Sequence, residues 1–156
     1  MMGVIHVWRI CHKKYYASAF SGDGARLFGG RFNSIGYAAV YTSGSLSLSI
    51  LEMMVQVNDR SYLKDCVTFS AEIPESMNWI PDEQNLPDTW NNLPYETATQ
   101  YFGDAWLKSV RSPVMKVPSV VVPVEYNFIL NPAHPDFKRI MISRVDKLSF
   151  DRRLFV

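Results

Sequence analysis

The chain has 156 residues, 47% hydrophobic and 20% charged, with 16 Lys+Arg against 15 Asp+Glu and a formal net charge of +1. That length predicts one domain over residues 1–156, able to bury roughly 70% of its unfolded surface without a metal or disulfide staple, and the composition excludes a disordered chain. The balanced charge argues against direct nucleic-acid binding, because Lys13-Lys14 and Arg152-Arg153 are short clusters that suit a solvated surface.

Taken in chain order, the N-terminal Met1–Arg9 lacks the apolar stretch of a signal peptide, and no run approaches the ~20 apolar residues of a membrane span. A cytoplasmic protein is expected. Val4–Ile10 predicts the first strand. Ser21–Asn33 carries four glycines in nine residues, which predicts tight turns or close backbone approach to a bound group. A second strand is expected over Ala38–Thr42. Ser45 or Ser47 then caps a helix to about Gln56, with Leu48, Leu51 and Val55 on its apolar face. Glu52 falls on that same face, where a carboxylate is costly to bury unless it is paired or used.

Val67–Ile73 alternates as a half-buried strand. Residues 74–94 hold four prolines and are expected to be a long loop without a regular core. A helix is expected from Glu96 to Val110, presenting Tyr101, Phe102, Ala105, Trp106 and Ser109, weakened by Gly103 and ended by Pro113. Short strands follow at Val114–Val117, Ser119–Val122, Asn127–Leu130 and Arg139–Ser143, with Lys147–Phe155 a more charged last candidate. Prolines 118, 123 and 132 suit bulges or sheet edges. The predicted class is α+β with a mainly antiparallel or mixed sheet. Cys11 and Cys66 sit in strand-like segments without CxxC spacing, as free thiols in a reducing compartment do.

Several polar groups are candidates for chemistry. Arg31, in Gly29-Gly30-Arg31-Phe32-Asn33, offers a rigid fork of donors for a phosphate or carboxylate beside glycine N–H groups; alone, the pentapeptide reads first as a hairpin turn with a surface arginine. It is neither a P-loop nor a dinucleotide fingerprint. Tyr41, in Val40-Tyr41-Thr42-Ser43, is a core residue or a stacking platform. Glu52 is a structural partner for an arginine or a functional carboxylate. Ser112 and Ser119 flank Pro113–Pro118, and neither lies in a nucleophile elbow. His6, His12 and His134 lack metal-ligand spacing, so no metal is expected, and His134 suits a proline-braced turn.

In this order the motifs resemble the RES-domain proteins, named for an arginine, a glutamate and a serine. The matching stretches are Trp8-Arg9-Ile10, Gly29–Asn33, Val40–Ser43, Leu51-Glu52, Val117–Pro123 and Asn127–Pro135, covering roughly residues 7–137. The family commonly has Trp where this chain has Phe32. The resemblance implies an ADP-ribosyltransferase-like fold, with a split, twisted β-core and a few flanking helices around a cleft for NAD⁺. It implies the toxin of a toxin–antitoxin pair, which breaks the nicotinamide–ribose bond of NAD⁺ with water or phosphate as acceptor; some members modify a protein. It also implies a helix-turn-helix (Xre-like) antitoxin partner and no cofactor beyond NAD⁺ as substrate. On this resemblance Glu52 would answer charge on the ribose. Arg31 would hold the pyrophosphate with Arg9 beside it, and Tyr41 would stack on nicotinamide. The active-site serine would be Ser119 or Ser112, with Ser119 favoured. A nuclease-type toxin and an inactive binding module are the rival readings.

Overall fold

The computed structural model describes residues 3–145 and 148–155. Strand β1 (Val4–His12) is bulky and alternates enough to bury Val7 completely. It pairs antiparallel with β3 (Cys66–Pro74) over nine residues, from Val4↔Pro74 to His12↔Cys66. On its other side β1 meets β2 (Val40–Ser43) at the one register pair Trp8↔Ser43.

The remaining strands are β4 (Asn78–Trp79), β5 (Val114–Pro118), β6 (Tyr126–Leu130) and β7 (Met141–Val145). They complete a seven-stranded sheet of order β4-β5-β6-β2-β1-β3-β7. Every pairing is antiparallel except β4 with β5, so the sheet is mixed and the α+β class holds. The sheet is nearly split. Among the described residues a four-strand half and a three-strand half (β1, β3, β7) share the single register pair Trp8↔Ser43.

Side chains of β5 and β6 alternate between two cores, as period-two geometry requires. Val114, Phe128 and Leu130 pack with Val7, Val40 and Ile73, whereas Met115, Val117 and Ile129 pack with Phe32, Trp106 and Leu107.

Three α-helices among the described residues flank the sheet. The glycine-rich segment, expected as turns, contains α1 (Asp23–Phe28), whose cap Gly29 takes φ +76 and donates its N–H to Ala25 O. A tight Gly30↔Asn33 bridge follows. Helix α2 (Leu46–Met54) is capped by Ser45, whose Oγ accepts the Leu48 N–H at 3.1 Å. Its inward face differs from the expected one. Leu48 is buried, but Leu51 and Val55 are 43% and 65% exposed. Ser49 turns inward instead, because its hydroxyl donates to Trp8 O at 2.9 Å and anchors the helix on β1.

Helix α3 (Thr97–Ser109) likewise buries Thr99, Gly103, Trp106 and Leu107, while Tyr101, Ala105 and Ser109 are exposed. Gly103 sets that face: a Cβ there would collide with the Phe32 carbonyl, so the helix rests directly on the Gly30–Asn33 turn. Asp104, beside it, accepts the Ser34 N–H at 2.8 Å. Val110, at φ +52, ends the helix before Pro113 is reached.

Other expectations need correction. The 74–94 segment is partly structured: it supplies β4, and Met77 and Leu86 are buried. Ser119–Val122 is a bend rather than a strand, because the Ser119 hydroxyl takes the N–H groups of both Val121 and Val122 at 3.0 Å. Arg139 closes a 3-10 turn, Pro135–Arg139, so the next strand begins at Met141. Lys147 lies outside the described residues, and 148–155 form a 3-10 turn, Arg152–Leu154, instead of a strand. The prolines end strands without pushing them to an edge: β5 and β6 are both interior. No helix among the described residues is long and apolar enough to cross a membrane.

Candidate active site

Where the sheet halves part, a cleft of about 1040 Å³ opens. It is lined by β1 and β2 on its floor, the Gly29–Phe32 turn on one side and α2 on another, with Arg9, Arg31, Tyr41, Glu52 and Asn127 among its walls.

Glu52 comes from the second half of α2, on the stripe that Ser49 turns inward. Its Oε1 accepts from Ser119 Oγ at 2.7 Å and from Asn127 Nδ2 at 2.6 Å. Both bonds are short, as bonds to a carboxylate are. Ser119 is fully buried, and the two N–H groups that its oxygen accepts leave its hydroxyl hydrogen for Glu52. The carboxylate expected among the apolar residues of α2 is thus paired, and its hydrogen-bond partners are neutral donors rather than an arginine.

Arg31 projects from the turn into the same cleft. Nη1 donates to Trp90 O and Asn92 O, each at 2.8 Å, and the Tyr95 ring lies 5.9 Å from the guanidinium carbon. Both carbonyl bonds use one nitrogen, so Nε and Nη2 carry no bond to the described residues. Partial burial lowers the guanidinium pKa, and the nearby Glu52 opposes that shift. Arg31 is thus both the expected turn residue and a cleft cation, braced against the strap of residues 90–95.

Tyr41 holds the turn in place. Its hydroxyl donates to Asn33 Oδ1 at 2.6 Å and accepts the Phe32 N–H at 3.1 Å. Burial drives its pKa well above the ordinary phenol range, so it acts as a neutral hydrogen-bonding group. Gly30 is required here, since a Cβ would sit 2.7 Å from the Tyr41 hydroxyl. Fully buried Asn33 completes the brace, donating through Nδ2 to Ala25 O, Ser34 O and Tyr37 O.

Arg9 also lines the cleft, but it is deeply buried, which lowers its pKa, and it donates to Ala19 O at 2.6 Å and Tyr41 O at 3.0 Å. It ties β1 to β2 where the sheet parts. Ser112 is brought to none of these groups: it accepts from Trp106 Nε1 at 2.9 Å and donates to Val114 O at 3.0 Å, bracing the end of α3. Of the two candidate serines, Ser119 is the one beside Glu52.

Sequence reasoning assigned no role to Asn127, although it stands in a matching stretch. His134 does brace a turn, through Nδ1 accepting the Asp136 N–H at 3.0 Å. Among the described residues no group of three or more His, Cys, Asp or Glu side chains gathers as a metal site would.

With this geometry in view, residues 6–153 match the family described as the RES domain. A protein named Toxin Res from Photorhabdus laumondii is 42% identical, covering 95% of this chain and 96% of its own length. The Prs ADP-ribosylating toxin of a Sphingobium strain is 36% identical, covering 94% of both chains. Among solved structures, the M. tuberculosis MbcT–MbcA toxin–antitoxin complex contains a similar chain, with a TM-score of 0.71 over 93% of this chain and 86% of that one. At 14% identity that likeness concerns the fold.

Proposed function

This chain belongs to the RES-domain family, and from that premise and the cleft geometry we propose that it is the toxin of a toxin–antitoxin pair and consumes NAD⁺. The observation that carries the reading is the single cleft holding a braced carboxylate, Glu52, opposite a partly exposed guanidinium, Arg31. A dinucleotide needs both: a cation for its pyrophosphate and an anion near the carbon that turns cationic.

In the reaction the bond between ribose C1′ and the nicotinamide nitrogen breaks. Its electron pair leaves with nicotinamide, which becomes neutral, and positive charge develops across C1′ and the ring oxygen, as in glycoside cleavage. Glu52, half-buried in the cleft wall and held by Ser119 and Asn127, answers that charge from a fixed position. An incoming water oxygen bonds to C1′ and releases a proton, so NAD⁺ and water yield ADP-ribose, nicotinamide and H⁺. Phosphate or a protein side chain would enter at the same carbon. The name of the Sphingobium relative supports transfer to a protein as the second reading. Inducing the chain without its partner should lower cellular NAD⁺ before growth stops. Level NAD⁺ during arrest would overturn the proposal, and RNA loss in its place would favour a nuclease.

Arg31→Lys should raise KM for NAD⁺ while the protein stays folded. Lysine keeps the charge but loses the fork, and charge-assisted bonds of this kind contribute roughly 1.5–3 kcal/mol, or about 10- to 100-fold in affinity. An unchanged KM would return Arg31 to a purely structural role as the brace for the Trp90 and Asn92 carbonyls.

The mouth of the cleft carries apolar groups in water: Tyr15, Val55, Leu93 and Tyr95 are all exposed and all line it. Such a rim suits an apolar segment of a helix-turn-helix antitoxin. Adding the antitoxin should abolish turnover and slow hydrogen exchange at amides around Arg31 and Glu52. Inhibition with protection confined to a distant surface would indicate an allosteric partner.

A further inference from the structure

Behind Glu52 the hydrogen-bond chain continues one step further. Asn127 and Ser43 are register partners on β6 and β2, and Ser43 Oγ donates to Asn127 Oδ1 at 2.7 Å. An ionised carboxylate only accepts, so the amide must turn its NH₂ toward Glu52 and its oxygen toward Ser43. Reversing the amide would set its oxygen against the Glu52 carboxylate oxygen. The polarity is thereby fixed as Ser43 to Asn127 to Glu52. Ser43 is itself immobilised: it is 4% exposed and occupies the register pair, Trp8↔Ser43, that the two halves of the sheet share.

Both donors to Glu52, Asn127 and Ser119, converge on Oε1, and Oε2 has no hydrogen bond to the described residues. Pinning one oxygen from two sides fixes the rotation of the carboxylate and aims the other oxygen. We propose that Asn127, oriented by Ser43, is a positioning residue that presents Glu52 Oε2 to the reacting sugar. This rests on the NAD⁺-cleaving reading for the identity of that sugar; the positioning itself rests on the hydrogen bonds. Asn127 touches no reacting atom in this scheme and acts entirely through Glu52.

A double-mutant cycle tests this on the full chain, with Asn127→Ala, Ser43→Ala and Glu52→Gln made singly and Asn127→Ala combined with Glu52→Gln. Each variant is read by NAD⁺ turnover per folded molecule, by melting temperature, and by growth-arrest potency on induction. Asn127→Ala should lower kcat by about 10- to 100-fold, the scale of a slightly misplaced reactive group, with KM changed less than about threefold. Ser43→Ala should lower kcat in the same direction by less, because Asn127 keeps its bond to Glu52 but loses its guide. In the Glu52→Gln background Asn127→Ala should add almost nothing to the loss, a non-additivity that simple destabilisation does not produce. Equal factors in both backgrounds, or a change confined to KM, would overturn the positioning role. If the wild-type chain arrests growth yet leaves NAD⁺ intact, the NAD⁺ reading falls, and the same cycle scored on growth arrest still decides what Asn127 does.

Discussion

Glu52→Gln should give a folded protein whose NAD⁺ turnover has fallen about 10²–10³-fold, with KM nearly unchanged. Both neutral donors on Oε1 can still bond the glutamine carbonyl, so the brace from Ser119 and Asn127 survives the substitution. What disappears is the negative charge. If that charge contributes ~3–4 kcal/mol to the transition state, the rate falls by the stated factor, since each 1.36 kcal/mol is about tenfold. NAD⁺ affinity changes less, because the ribosyl cation exists mainly at the barrier. The structure also separates this outcome from the other sequence-level reading, a carboxylate buried against an arginine. Breaking such a pair would cost ~3–5 kcal/mol of stability, whereas bonds to neutral donors predict a melting temperature close to wild type. Turnover and a thermal melt on one sample decide it: a destabilised variant with normal turnover per folded molecule would remove Glu52 from the chemistry.

Gly103→Ala should have the largest effect on stability. On an exposed helix the change would be favourable by up to ~1 kcal/mol, but here the new methyl meets the Phe32 backbone. Backbone does not swing aside as a side-chain tip does, so α3 or the Gly30–Asn33 turn must move. Overpacking of this kind costs about 3 kcal/mol, or roughly 6–12 °C in Tm for a chain of this size. Displacing Phe32 also displaces Arg31, so KM for NAD⁺ should rise in whatever remains folded. A variant melting at or above the wild-type temperature would show that the helix does not rest on that turn.

Much of the frame was legible because its signals are local. β1, β3 and the Ser45 cap of α2 follow from alternation and capping chemistry within a few residues. β4 was invisible, since its two residues become a strand only by pairing in parallel with Val114 and Met115, far along the chain. Val120-Val121-Val122 reads as strand by β-branching, but one serine hydroxyl captures two of its N–H groups and bends it. The faces of α2 and α3 were misjudged for related reasons. A serine bonded to a sheet carbonyl and a glycine against a backbone carbonyl outrank apolar residues in choosing the buried side. Within the site, the order of the motifs pointed to Arg9, Arg31, Tyr41, Glu52 and one of two serines, Ser112 or Ser119. It could not place Asn127, whose role depends on the β2–β6 register, nor separate Ser112 from Ser119, which needed the Trp106 indole bond.

The wide sequence spacing of the site has a consequence during synthesis. Glu52 meets Ser119 and Asn127 across 67 and 75 positions of chain. A ribosome adding about 5–20 residues per second needs roughly 4–15 s to travel from the glutamate to the asparagine. Until β6 emerges and inserts between β5 and β2, the nascent polypeptide carries Glu52 without its Asn127 donor, and the edge of β2 that β6 will cover stays unpaired. A chain that has not yet added β6 therefore lacks the Asn127 bond on which the proposed placement of Glu52 depends. That interval gives an inhibitor translated alongside it time to be folded and waiting.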